Sequence, residues 1–184
     1  RAKKGDLASF NQLVQQHQTQ VYNLALRMLS EPAIAEDITQ ETFLSSYRNL
    51  HTFHAGNFNA WLLRIAANAG RDYLRSAQVR RNISLEMLLD NPGFAPRASD
   101  ETPENYTLRR ELIGVIQHGL STLSVDQRLA LVLVDVQGFG YEEAAQIVGI
   151  PIGTLKSRLS RGRLAMRDTL LTQRELLPGE FRSR

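Results

Sequence analysis

The 184-residue chain contains no cysteine, which excludes disulfides and thiolate metal sites and fits a reducing compartment. It lacks any apolar run near the roughly 18 residues that a membrane span requires, and its start, RAKKGDLASF, has no signal-peptide core. Strand-like alternation is almost missing. These absences lead to the expectation of a soluble, cytoplasmic, helical protein with no span of its own. Because the chain begins at Arg1 rather than Met, a few residues of a first helix are expected to be missing.

What is present is helical periodicity. Leu7, Phe10, Leu13, Val14, Val21, Leu24, Ala25, Met28 and Leu29 recur at spacings of three and four. SEPAIAED restarts the pattern, with Ser30 as the expected N-cap and Pro32 in the first turn of a helix running from about Ala33 to Leu50. HTFHAGNFNAW breaks the periodicity, and a further helix is predicted from Ala60 to about Arg75. Asn91 to Asn105 carries three prolines among acids and small polar residues, so it reads as an extended linker. Beyond it, Leu108 to Leu120, Val125 to Val136 and Glu142 to Val148 are helical patterns, and a last helix starts at Gly153 or Thr154. The expected architecture is all-α: two small helical domains over residues 1–80 and 107–172, a linker over 81–106 and an unassigned tail over 173–184.

The net charge of +3 is unevenly spread. Glu111 to Ile150 holds one arginine against five acids, whereas Pro151 to Arg184 holds eight bases against three acids, an electrostatic footprint for phosphate. Within that basic segment, the Gly149-Ile150-Pro151 break separates two short helical patterns, a helix-turn-helix arrangement. Ile152, Leu155, Leu159, Met166 and Leu170 line one side of the second helix. Thr154, Ser157, Arg158 and Arg161 line the other, flanked by Lys156 and Arg163. A helix fits the DNA major groove, and arginine can donate two parallel hydrogen bonds to guanine, so this stripe is predicted to read duplex DNA.

A second polar stripe lies on the helix after the HTFHAGNFNAW loop. Leu62, Ile65, Ala66, Ala69 and Tyr73 are its apolar face, and Trp61, Arg64, Asn68, Arg71, Asp72 and Arg75 fall apart from them. An indole followed by amides and arginines suits single-stranded nucleic acid, whose bases stack on aromatics while cations hold the backbone. Phe58 and Asn59 in the preceding loop extend that surface.

At these residues the chain resembles the extracytoplasmic-function (ECF) group of alternative sigma factors of bacterial RNA polymerase, over nearly its whole length. AEDITQETFLSSYRNL is similar to the family's polymerase-binding region, NAWLLRIAANAGRDYLR to its minus-ten region and YEEAAQIVGIPIGTLKSRLSRGR to its minus-35 reader. The resemblance implies that Asp37, Gln40 and Glu41 dock on the beta prime clamp helices, with the beta flap as a further contact. Leu44 and Arg48 share their helix stripe, which is distinct from Phe43, Tyr47 and Leu50. It also implies that Asn68 and the preceding loop capture an unstacked promoter base near Arg64, Arg71 and Arg75, and that an anti-sigma factor covers the docking face. The loop FHAGNFNAW lacks the basic and acidic residues frequent after its first Phe and is one residue shorter than many relatives, so base specificity does not carry over.

Two other classes are weighed. A stand-alone helix-turn-helix regulator would bind duplex operators tightly without polymerase, typically as a symmetric dimer. A metal-dependent enzyme could use His51 and His54 with Glu36, Asp37 or Glu41, but no third ligand stands at a telling spacing. No metal, cofactor or catalytic residue is expected.

Overall fold

The computed structural model describes residues 1–54, 56–83 and 103–172, among which there are seven α-helices and no strand. Helix α1 (Leu7–Leu29) starts at Asp6, whose carboxylate accepts the Ala8 amide at 3.1 Å. It ends at Ser30, which adopts a left-handed φ of 64° and donates its backbone N–H to the Leu26 carbonyl. Ser30 is therefore the C-cap of α1 and not the N-cap of α2 (Pro32–Arg48), a place taken by Glu31 with no side-chain cap bond. Pro32 disfavours helical geometry in the residue before it, so Glu31 is extended and the reversal falls on Ser30.

After a 3₁₀ turn (Leu50–Thr52), α3 runs from Phe58 to Ile83, longer at both ends than the periodicity predicts. Its buried face is Leu62, Leu63, Ala66, Ala67 and Gly70, whereas the expected Ile65, Ala69 and Tyr73 are only half-buried. The difference has a packing cause: α3 rests on α1 and α2 on one side and on α6 on another, so one stripe cannot serve. Gly70 lets α1 come close, since a Cβ there would lie 3.3 Å from the Met28 methyl carbon. Val21, Leu24, Met28, Phe43, Leu62 and Leu63 form the core of this first unit.

The second unit begins with α4 (Pro103–Thr122); α3 and α4 both run into the linker expected over 81–106, whose residues 84–102, like the tail 173–184, lie outside the described residues. Helix α5 (Val125–Leu131) opens on a capping box in which Ser124 and Gln127 exchange side-chain and backbone bonds. It passes into a π-helical turn (Val132–Val136), so the single helix expected over Val125–Val136 changes pitch partway. Helices α6 (Tyr141–Val148) and α7 (Ile152–Thr172) then complete the unit around Leu129, Leu133, Ile147, Leu155 and Leu159. Gly119 is where α4 meets α7: a Cβ there would fall 2.6 Å from the Met166 sulfur.

The two units are packed together. Helix α1 meets α4, α5 and the π turn, and α3 meets α5 and α6.

Candidate nucleic-acid interface

The basic helix α7 is set by the turn before it. Gly149 takes φ 75°, a left-handed conformation that suits glycine, and Pro151 accepts the Thr154 and Leu155 amides at 3.0 and 3.1 Å to begin the next helix. The buried Ala144 and Ala145 of α6 and the buried Leu155 and Leu159 of α7 hold the pair together, leaving Thr154, Lys156 and Arg161 exposed. Arg161 donates to the Ser157 hydroxyl at 2.9 Å, and Lys156 stands 5.6 Å from the centre of the Tyr141 ring.

Arg158 and Arg163 have partners that periodicity does not reveal. Arg158 pairs with Asp126 of α5 at 2.9 Å, its side chain 27% exposed. Arg163 makes a fork with both Asp135 oxygens at 2.9 and 2.6 Å, and this hydrogen bonding raises its guanidinium above the usual range. Of the six residues expected to touch duplex DNA, Thr154, Lys156 and Arg161 are exposed, Ser157 and Arg158 are half-buried and Arg163 is held by an acid.

On α3, Trp61 is half-buried in a cluster with Phe53 and Phe58, ring centres 5.5 and 5.6 Å away. His17 of α1 closes the cluster against Phe58 at 5.4 Å. The aromatic surface is thus a fixed block under the loop, with Asn59 half-buried beside it. Asn57, in the loop, accepts the Ala60 amide at 3.2 Å while its own amide donates to Glu143 of α6 at 2.6 Å. Arg64, Asn68, Asp72 and Arg75 are exposed; Arg71, only 13% exposed, donates to the Asn68 carbonyl oxygen at 3.3 Å and lies 3.6 Å from Asp126. Burial pulls the Arg71 guanidinium below its usual range, and Asp126 pushes it back up.

Burial also lowers the His17 imidazole, with the neighbouring Asn59 side chain acting the other way. The folded chain then holds fewer protons at His17 than the unfolded chain does. This contribution to stability is present above the unfolded value near 6.5 and lost as pH falls below it. Thermal melts between about pH 7.5 and 5 should show the wild type losing more stability than His17→Gln across that interval. Equal pH slopes would overturn the assignment.

The docking stripe is on α2. Asp37, Gln40, Glu41, Leu44 and Arg48 are all exposed. Tyr47, placed with the core residues by the helical pattern, is 43% exposed and stacks edge-on against Phe10 at 4.9 Å. It is the wall of an apolar groove of about 460 Å³ between α1 and α2, together with Leu7, Phe10, Val14, Phe43 and Leu44. His51 and His54 turn Nδ1 toward the backbone carbonyls of Arg48 and Thr52, and among the described residues no three His, Asp or Glu side chains group closely enough to hold a metal ion. No helix among the described residues is long and apolar enough to cross a membrane.

Comparison with known proteins agrees with this division. Residues 13–80 match Sigma-70 region 2, and residues 113–166 match Sigma-70, region 4. The ECF RNA polymerase sigma factor SigE of Mycolicibacterium smegmatis is 37% identical over 89% of this chain, which spans 62% of that protein's length. The ECF RNA polymerase sigma-E factor of Haemophilus influenzae is 35% identical over 89% of this chain and 88% of its own. Among solved structures, the sigma factor RpoE of Bartonella quintana, crystallised with the anti-sigma factor NepR, superposes with a TM-score of 0.72 at 27% identity, covering 89% of this chain and 98% of that one. CnrH, in complex with the cytosolic domain of CnrY, shares the fold with a TM-score of 0.68 at 23% identity. With a region 2 unit carrying the α3 stripe, a region 4 unit carrying the helix-turn-helix, and relatives of this identity and coverage, the chain belongs to the ECF sigma factors, alternative sigma factors of transcription initiation.

Proposed function

We propose that the chain directs core RNA polymerase to its promoters through three separate surfaces. The α2 face of Asp37, Gln40, Glu41, Leu44 and Arg48, with the groove beside it, docks on the beta prime clamp helices, and region 4 sits by the beta flap. The α3 stripe of Arg64, Asn68, Arg71, Asp72 and Arg75, with the Phe58–Trp61 block, holds an unstacked base of the minus-ten element. Helix α7 reads the minus-35 element through Thr154, Lys156, Ser157, Arg158, Arg161 and Arg163. The observation that carries the reading is the union, in one chain, of a helix-turn-helix with a polar arginine stripe and a second arginine–amide stripe beside an aromatic block.

Energetics explain why a docking face accompanies the DNA readers. Opening duplex DNA costs about 1.4 kcal/mol per base-pair step. Stacking on a protein aromatic returns roughly 1 to 3 kcal/mol per base. Capture of one or two bases cannot hold open a bubble of about a dozen, so a partner with a large basic channel must supply the rest. The reading is of an initiation subunit, without catalysis of its own, acting where polymerase acts in the bacterial cytoplasm. An anti-sigma factor is a further partner, inferred from the Bartonella protein's complex with one.

The test is to add the chain to core polymerase with a library of random promoters and sequence the transcripts. Specific starts that require the chain support the reading. Absence of stimulation, together with tight binding of duplex DNA by the chain alone, would favour a stand-alone regulator.

A further inference from the structure

Two side chains from the start of the chain, Lys3 and His17, reach the loop assigned to the minus-ten element, and neither belongs to a polar stripe. We propose that His17 is the positioning residue of that loop: it holds the Asn59 amide with its carbonyl inward, so that Asn59 offers melted DNA an N–H donor and reads an acceptor on one base. The DNA step of this inference rests on the sigma reading above, and the positioning step does not.

The loop between Phe53 and Phe58 is tied at both ends to this first part of the chain. At its start the Lys3 ammonium donates to the Phe53 carbonyl, and the 3₁₀ turn Ala2–Lys4 packs on the turn Leu50–Thr52. At its end the His17 ring lies 5.4 Å from the Phe58 ring, tilted by 55°. Phe58 in turn meets Phe53 and Trp61, ring centres 5.6 Å away in both cases. His17 is thus the ring through which α1 supports the aromatic block.

The two asparagines at this end differ in what they have left to give. Asn57 caps α3: its Oδ1 accepts the Ala60 amide at 3.2 Å, and its NH₂ group donates to Glu143 at 2.6 Å. Asn59, in the first turn of α3, is half-buried, and its Oδ1 is buried with no hydrogen-bond partner. Such an acceptor calls for a donor, because leaving it unpaired costs the desolvation of the group. The His17 ring is the donor beside it. Burial is the main influence on that ring and disfavours its charged form, whereas Asn59 favours the charged form, as an acceptor facing an imidazole does. The neutral ring still carries one N–H, and a small rotation that aims it at Oδ1 satisfies the carbonyl. With Oδ1 turned in, the end of Asn59 left for an incoming strand is the NH₂ group, which only donates. An amide free to turn over would present either oxygen or nitrogen and discriminate poorly. A fixed one leaves a base that turns an amino group toward it without a partner, and that mismatch is a source of specificity.

Three variants of the full chain test this. His17→Gln keeps an N–H at similar reach, His17→Leu removes it, and Asn59→Asp keeps the outline of Asn59 while removing its donor. On the free chain, nitrogen relaxation of the Asn59 side-chain amide, read by NMR, is expected to be that of an ordered group in the wild type and in His17→Gln, and of a mobile one in His17→Leu. With core polymerase and a random promoter library, the wild type is expected to show a base preference at one minus-ten position. His17→Gln should retain it, His17→Leu should reduce it severalfold, and Asn59→Asp should turn it toward bases that present an amino group there. The preference ratio is read rather than the yield, because a loss of packing alone weakens every promoter alike. Asn59→Asp leaves the His17–Phe58 contact in place, so the donor role is tested independently of any loss of stability in His17→Leu.

An Asn59 amide that is as mobile in the wild type as in His17→Leu, or a promoter ratio that is the same in His17→Leu and His17→Gln, overturns the positioning role. A preference that Asn59→Asp leaves in place overturns the donor role of Asn59. A wild type with an ordered Asn59 amide that fails to initiate refutes the sigma reading, while the positioning by His17 stands.

Discussion

Leu44→Asp is expected to weaken binding of core RNA polymerase by about 30-fold or more, while leaving the fold intact. Leu44 is 52% exposed at the rim of the α1–α2 groove, beside Leu7 at 58% exposed and Tyr47. An apolar side chain at the centre of a charged patch is the kind of residue that becomes fully desolvated on docking, where truncation of an anchor costs about 2 kcal/mol or more. Aspartate removes that apolar contact and adds a third acid to the exposed Asp37 and Glu41, a charge that the proposed docking has no new cation to meet. In the free chain the same change is nearly neutral, within about 0.5 kcal/mol, because half of the side chain already meets water. Titrating labelled chain with core polymerase measures the loss, and a thermal melt controls for folding. Affinity within threefold of wild type would place the docking surface elsewhere.

The sequence made the helices and their order legible because each has an apolar face of period 3.6 and a turn signal at its end. Helix-turn-helix geometry follows almost entirely from Gly149, Pro151 and the small Ala144 and Ala145, and the structure starts α7 at Ile152, one or two residues before the expected Gly153 or Thr154. Periodicity failed where a helix has more than one neighbour. Tyr47 has the spacing of a core residue yet lines an open groove, and α3 buries Leu63, Ala67 and Gly70 while Ile65, Ala69 and Tyr73 of its predicted stripe are only half-buried, because region 4 lies against it too. Ser30 caps α1 and not α2 for a related reason, since a cap residue between two abutting helices serves whichever end the following proline permits.

The seam between the two units had no signature at all. Gln117 and Arg128 meet the end of α1 across about a hundred residues of chain, and hydrogen bonds between side chains and distant carbonyls leave no spacing rule in sequence. Asp126 could be noted as an acid in the first turn of α5, where it favours the helix dipole, but nothing local indicates that it faces two arginines from different helices. Asp135 is similar: its fork with Arg163 ties one cation of the apparent DNA stripe to an acid, a pairing across 28 residues that no helical spacing reveals.

These pairings divide the basic residues of α7 into separable predictions. Arg158→Ala is expected to reduce the preference for a matched over a mismatched minus-35 element by about 5- to 150-fold, the equivalent of the 1–3 kcal/mol of a bidentate arginine–guanine pair. Lys156, exposed and near Tyr141, carries a point charge better suited to phosphate; Lys156→Ala is expected to weaken binding evenly across sequences and to lower the salt slope by about one. Competitive selection of promoter variants by the reconstituted holoenzyme, repeated at two salt concentrations, separates the two effects. The preference ratio is the quantity to read, not overall activity. Loss of Arg158 also removes one of the two partners of Asp126, and any effect of that on folding or assembly acts on every promoter alike, which cancels in the ratio. A uniform loss for Arg158→Ala, indistinguishable from that of Lys156→Ala, would mean that Arg158 binds phosphate and that base reading on α7 falls to Thr154, Ser157 and Arg161.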